Sequence, residues 1–300
     1  VERALRRMPP SVMAEQQQQQ QQHPFLPHIG WAFAVPLQLL NCVQSTWQPE
    51  GKAALAAVGA ESALDMSPAE KQVYLGQIPG RHAREAAGDA GSEESVAGGS
   101  ATALRMWLKA IRDSVYLVVA MAVEHVPGLF NHLPLAQQMA SGLLANLEHM
   151  EARHLRLLLR HAVVPPVRDC PQSAWGTWLP LLLPPLLPLL GRRLIGYWGA
   201  FDVDAALGAS EDTTRAQNEV VEERIMRELS REAAVMVQVL AGMQRSAFSP
   251  QALPPKQVEA PGALVKGSIL EWMIRTMPAA AQAVVEMAVA SVSWPDPDAA

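Results

Sequence analysis

The sequence predicts an all-α array of stacked helical hairpins. Apolar residues recur at steps of three and four along most of the chain, which is the period of a helix with one buried face. Ala and Leu abound, while there are only three Tyr and five Phe. Helices favour Ala and Leu, and strands favour aromatic and β-branched residues. Between Leu155 and Trp198 two strongly apolar runs meet across Pro165-Pro166 and Cys170-Pro171. Neither run can bury its face alone, so neighbouring helices must stack to do it.

The elements follow in order. Residues 1–24 hold seven glutamines, Gln16 to Gln22, with no face to bury, and are expected to be a disordered spacer. A first amphipathic helix is expected from about Trp31 to Trp47, with Pro36 near its start. Lys52 to Leu75 reads as one or two short helices, and Ser67-Pro68-Ala69-Glu70 is a helix opening. Residues 76–102, rich in Gly, Ala, Ser and Glu, read as a flexible insert. The next helix carries the stripe Leu104, Leu108, Ile111, Val115, Val118 and Ala122, with Lys109, Arg112 and Asp113 off it, and Pro127-Gly128 ends it. Pro134 opens a helix bearing Leu135, Met139, Leu143 and Leu147. Another runs from Ala152 to Val164, where Pro165-Pro166 should stop it.

Ser173 to Trp198 is expected to form a buried, kinked helix. Its core, Trp178 to Leu190, is shorter than the about 20 residues that span a bilayer, and prolines interrupt it, so no membrane insertion is expected. After an acidic loop at Glu211-Asp212, a long helix from Ala216 to Gly242 carries Ile225, Leu229, Ala233, Met236 and Leu240 on one face. Residues 246–262 are a Pro-rich linker, residues 263–294 terminal helices broken at Pro278, and residues 295–300 a tail.

Composition narrows the function. Only 18% of residues are charged and the net charge is −5, so nothing in the average announces a nucleic-acid binder, although a local basic surface survives such averages. The two cysteines, Cys42 and Cys170, are far apart, which excludes a disulfide framework and fits a reducing compartment. The chain begins at Val1 rather than Met and reads as a fragment of something longer. There is no Walker loop, G-x-S-x-G, G-x-G-x-x-G or H-E-x-x-H. His149, His154 and His161 lack a Cys or carboxylate to complete a ligand set. We therefore expect no catalysis, no metal and no cofactor.

Four passages resemble one family. They are Ala63 to Gly76 (A-L-D-M-S-P-A-E-K-Q-V-Y-L-G); Leu155-Arg156 and Leu159-Arg160 followed by Pro166 and Cys170-Pro171; the apolar hairpin ending in Arg193-Leu194 and Trp198; and Glu222 to Glu232 (E-E-R-I-M-R-E-L-S-R-E). In order and spacing over roughly residues 25–245 the chain resembles the C-terminal part of exportin-5, the karyopherin family called HASTY in plants. That resemblance implies a HEAT-like helical repeat array, an α–α superhelix. It implies nuclear export of structured small RNA, notably microRNA precursors, with Ran-GTP, and a protein that shuttles between nucleus and cytoplasm. Double-stranded small RNA and nucleoporins would be partners, and Ran-GTP would bind mainly through N-terminal repeats absent here. The polyglutamine tract, the Gly-rich insert and the Pro-rich linker depart from the family and fall where loops tolerate insertion.

Arg153, Arg156 and Arg160 share one helix face, and Arg168 follows in the adjoining turn. Such a row suits duplex RNA, which is read through phosphates and shape. The same residues also suit a solvated face partnered by Glu148 and Glu151. Arg224, Arg227 and Arg231 form a second, weaker candidate row, with Glu223 and Arg227 at i,i+4. Arg192-Arg193 reads as capping for its own helix end. Trp175, Trp178 and Trp198 read as core rather than as base-stacking platforms. The alternative reading of the whole is a protein-cargo karyopherin, or a helical scaffold that never touches RNA.

Overall fold

The structure, a computed structural model, describes residue 24 and residues 26–76, 96–126, 128–200, 213–243 and 267–294. The fold is a HEAT-like all-α array, with no strand among the described residues. The polyglutamine segment, the acidic loop, the Pro-rich linker and the tail lie outside them, as does most of the 76–102 insert.

Helix α1 (Ile29–Ser45) starts earlier than expected, so Pro36 lies in its interior rather than near its start, and it buries Phe33, Leu37, Leu40 and Val43. It packs on α5 (Leu133–Leu143) and on α4 (Val96–His125). Between them lie two short helices, α2 (Pro49–Ala57) and α3 (Pro68–Tyr74). At the start of α3 a full capping box forms: the Glu70 N–H donates to Ser67 Oγ, and the Ser67 N–H donates to the Glu70 carboxylate. Two otherwise orphaned donors are satisfied by each other's side chains.

Helix α4 departs from the expected pattern in two ways. It begins at Val96, so the Gly-Gly-Ser end of the expected insert is wound into helix. Its buried row is Val115, Tyr116, Val119, Ala122 and Val123, continued by Val126 just past its end, whereas Val118 is 39% exposed. Arg112, placed off the stripe by its charge, is buried. Of the expected stripe Val115 and Ala122 are buried and Leu104, Leu108 and Ile111 half-buried, so the count in threes and fours misses only at Val118, where Val119 takes the core position.

Gly128, at φ +83°, breaks the chain after α4, and Pro134 sits in the first turn of α5. Leu147 lies beyond α5, in a short 3-10 turn, and is still buried. Next comes α6 (Ala152–Leu158), then a π turn (Leu159–Val163), then α7 (Val164–Asp169). Pro165-Pro166 therefore does not stop the helix. The π turn lets the chain restart, and both prolines occupy a first turn, where a missing N–H costs nothing. Helix α8 (Trp175–Ala200) runs unbroken through Pro180, Pro184, Pro185 and Pro188. Pro180, Pro184 and Pro185 are exposed, while Leu179, Leu182, Leu183, Leu186, Leu187 and Leu190 are buried. The missing donors thus fall on the solvent side, where water can reach the freed carbonyls.

Helix α9 (Thr213–Leu240) buries Leu229, Ala233, Met236 and Leu240, and Ile225 at its edge, as its sequence predicts. Helices α10 (Ile269–Thr276) and α11 (Pro278–Ser291) close the described array on either side of Met277. Helix α8 packs on α11, α5 and α9, and α9 packs on α6, α7 and α3. The segments Leu26–Ser45 and Gln172–Ala200 are long and apolar enough to cross a membrane by length and composition. In the array, the leucines of α8 are core.

The tryptophans of α8 confirm that packing. The Trp175 N–H donates to the Cys170 carbonyl at 3.0 Å, Trp178 to the Phe130 carbonyl at 2.8 Å, and Trp198 to Ser230 Oγ at 2.9 Å. All three are buried, with their one polar atom satisfied.

Candidate nucleic-acid interface

Helix α6 and the π turn after it present Arg153, Arg156 and Arg160 on one side, toward α3 and α9. Each finds a carboxylate. Arg153 pairs with Glu151 at 2.7 Å, approaches Glu70 at 4.0 Å, and donates to the Leu64 carbonyl. Arg156 pairs with Glu228 of α9, and Arg160 with Glu232 one turn further on, at 3.5 Å. The same four-residue step on both partners means that α6 and α9 run parallel, with α8 returning between them in sequence. Arg168 lies apart from this ladder, held by two hydrogen bonds to Asp169 at 2.9 and 2.7 Å.

Exposure decides what each arginine can reach. The side chains of Arg153, Arg156 and Arg160 are 12%, 20% and 58% exposed. The first two act between helices, and only Arg160 stands open to a large polyanion. Arg156 also keeps a buried Nε with no hydrogen-bond partner. Of the second row, Arg224 is exposed and donates to the Tyr74 carbonyl at 3.2 Å, and Arg231 is exposed. Arg227 donates from Nε to Glu223 at 3.1 Å, the i,i+4 pair expected from sequence.

The row borders a cleft of about 590 Å³ between α3, α4 and α6. Its apolar walls include Val73, Leu117 and Leu157, and Lys109, Arg112, Asp113 and His161 stand among them. Burial pushes the Glu70 carboxyl up, but the Ser67 N–H, Lys109, Arg153 and the Ser67 hydroxyl together outweigh it. The group ends below its ordinary value. Glu232 goes the other way: burial raises it more than Arg160 and Arg156 lower it. Burial, then Arg160, holds His161 below the usual histidine range.

Sequence reasoning missed Arg112 and its partners. The guanidinium of Arg112 reaches Asp113 at 2.9 Å and His154 Nδ1 at 2.6 Å. His154 is stacked on Trp47, with ring centroids 4.7 Å apart and planes 15° from parallel. Burial and the neighbouring Arg112 and Arg153 hold its pKa well below the usual value. The half-buried histidine accepts from Arg112 and stacks on Trp47, so it joins α4 and α6 to the turn that follows α1. No group of three or more metal-ligating side chains is assembled among the described residues.

Arg193 also differs from expectation. It caps a neighbour rather than its own helix, which continues to Ala200. Its guanidinium donates to the carbonyls of Leu147 and Glu148, at 2.9 and 2.6 Å, and to that of Met150. Arg192 pairs with Glu148 at 3.1 Å.

Compared with known families, the whole chain, residues 1–300, matches the Exportin-5 family. It is 30% identical over 230 residues to Protein HASTY 1 of Arabidopsis thaliana, covering 73% of this chain and 19% of that relative. It is 29% identical over 140 residues to Exportin-5 of Dictyostelium discoideum, covering 47% of this chain and 12% of that relative. No solved structure gives a significant match. The chain therefore spans less than a fifth of the length of these two relatives.

Proposed function

Since the chain belongs to the exportin-5 family, we propose that it is part of a nuclear export receptor that carries structured small RNA out of the nucleus with Ran-GTP. The family match over residues 1–300 is the observation that carries this reading. The work is binding, with no covalent step. Ran-GTP and cargo each favour one state of the array, and GTP hydrolysis on Ran removes that bias and releases the cargo. The receptor shuttles between nucleus and cytoplasm, with Ran-GTP engaged mainly by repeats outside this chain and nucleoporins as further partners.

For RNA, the α6 row supplies the chemistry, with Arg160 as its accessible end and Arg153 and Arg156 behind it. Arg168, Arg224, Arg227 and Arg231 are secondary phosphate contacts. A-form duplexes offer phosphates and 2′-hydroxyls rather than readable base edges, so binding is salt-dependent and nearly indifferent to sequence. A second reading is favoured by one observation: Arg153, Arg156, Arg160, Arg168 and Arg227 all pair with carboxylates. On that reading the arginines only stitch helices, and the cargo is a protein.

Fluorescence anisotropy of a labelled short RNA duplex with a 3′ overhang, titrated with the chain at several salt concentrations, separates the two. RNA carriage expects affinity that falls as salt rises, and an Arg160→Glu variant that binds less well to every duplex sequence with unchanged helix content. Equal binding by Arg160→Glu and the parent chain removes the RNA assignment of this row.

A further inference from the structure

We propose that Glu228 and Glu232 of α9 act as resident counter-anions on the α6 arginines, which RNA phosphates must share or displace, so that these two carboxylates set the RNA affinity of the row. This rests on the RNA reading above and adds its regulation. Three observations carry it. Both glutamates come from an element 72 residues further along the chain, and both meet the row in register. The Arg160–Glu232 contact is long, at 3.5 Å, and unequal: the arginine is 58% exposed and the glutamate 15%. The guanidinium is therefore presented outward while its partner stays behind it. Arg156 is only half used, since Glu228 takes Nη1 and the buried Nε has no acceptor. An incoming RNA phosphodiester brings two anionic non-bridging oxygens to the outward-facing Arg160 donors, which Glu232 leaves partly unfilled.

A carboxylate beside an arginine does two opposing things. It orders the guanidinium, and it cancels the charge that a phosphate would feel. Glutamine in its place keeps an acceptor oxygen for the guanidinium and removes the negative charge. Glu228→Gln and Glu232→Gln are therefore expected to leave the helix packing in place and to tighten RNA binding. Other charges facing the row are Glu70, Glu151 and Asp113, and none of them is altered by these changes.

The experiment compares the 300-residue chain with Glu228→Gln, Glu232→Gln and the control Glu219→Gln. Glu219 is an exposed α9 carboxylate whose ion pair among the described residues is with Arg215 of its own helix, at 2.9 Å, so it carries the same change in net charge away from the row. The probe is a labelled RNA duplex, and far-UV dichroism melts check that all four proteins are folded alike. The expected result is binding tightened about two- to fivefold at low salt for each of the two row variants. The gain should shrink as salt rises, and Glu219→Gln should match the parent. Measurable binding by the parent with no gain in the row variants, or an equal gain in Glu219→Gln, overturns the inference and leaves the RNA reading standing. No binding by any of the four proteins, including at low salt, overturns both.

Discussion

Mild acid should loosen this array through His154. The ring is stacked on Trp47, accepts from Arg112, and has Arg153 close by, so protonating it would bury a third cation among two. Its folded pKa lies well below the ordinary value of 6.5, first because of burial and then because of the two arginines. The sign follows from linkage. Above pH 6.5 the residue is neutral in both folded and unfolded chains, and the stability of the neutral arrangement is fully present. Below it, the unfolded chain takes a proton that the folded chain refuses, and stability is lost at about 1.4 kcal/mol per pH unit. With the folded residue staying neutral, the loss between about pH 7.5 and about pH 5.5 is about 1.4 kcal/mol. His161, also held low, adds a smaller loss of the same sign. The assay is urea unfolding followed by far-UV dichroism at several pH values in that window, for the parent chain and for His154→Gln. Glutamine can still accept from Arg112 but does not titrate, so the variant should be less stable at pH 7.5 and lose less on acidification. If the two proteins lose stability in parallel across the window, His154 is not held neutral and the reasoning about this cluster fails.

Two further changes test the packing. A Cβ added at Gly142 would lie 2.9 Å from Leu37 Cβ and 2.8 Å from Leu37 Cδ2, and a Cβ cannot swing aside. Ala normally gains up to about 1 kcal/mol over Gly within a helix. Overpacking costs about 1–3 kcal/mol and should win, so Gly142→Ala is expected to lower the urea midpoint; an unchanged or raised midpoint would show that α1 and α5 are not in close contact there. Ser67→Ala removes the hydroxyl that accepts from the Glu70 N–H at 3.2 Å. A cost of about 1 kcal/mol is expected, read as faster amide exchange in the first turn of α3, and Ser67→Asp should restore most of it.

Legibility in the sequence tracked how local each cause was. The α9 stripe, the α8 hairpin, the Ser67 opening and the break at Pro278 depend on neighbours within a turn or two, and all were readable from spacing. The pairs Arg153–Glu151 and Arg227–Glu223 were readable for the same reason. Arg112 was not. Its burial depends on His154, 42 residues away, and on Trp47 behind that ring, so a charge in an apolar row read as a surface residue. The π turn escaped because Pro165-Pro166 carries the same local signal whether it ends a helix or restarts one. The α8 arginines likewise carried a C-terminal signal that the structure uses against a different segment, 43 to 46 residues earlier.

The arginine row shows the limit most clearly. Its spacing on one helix predicts a shared face, and the structure keeps that. Spacing cannot say how deep each member sits, because depth is set by what α3 and α9 lay over each of them. The row climbs out of the fold along its length, from 12% exposed at Arg153 through 20% at Arg156 to 58% at Arg160. The same three residues therefore do unequal work. Loss of Arg153 or Arg156 removes a largely buried guanidinium that ties α6 to the Leu64 carbonyl and to Glu228 of α9, a penalty on folding before any on binding. Loss of Arg160 leaves Glu232 without its cation, but that carboxyl is already raised by burial and can yield by taking a proton. A charge change at Arg160 is thus the one in this row whose effect on an RNA phosphate can be separated from its effect on the array.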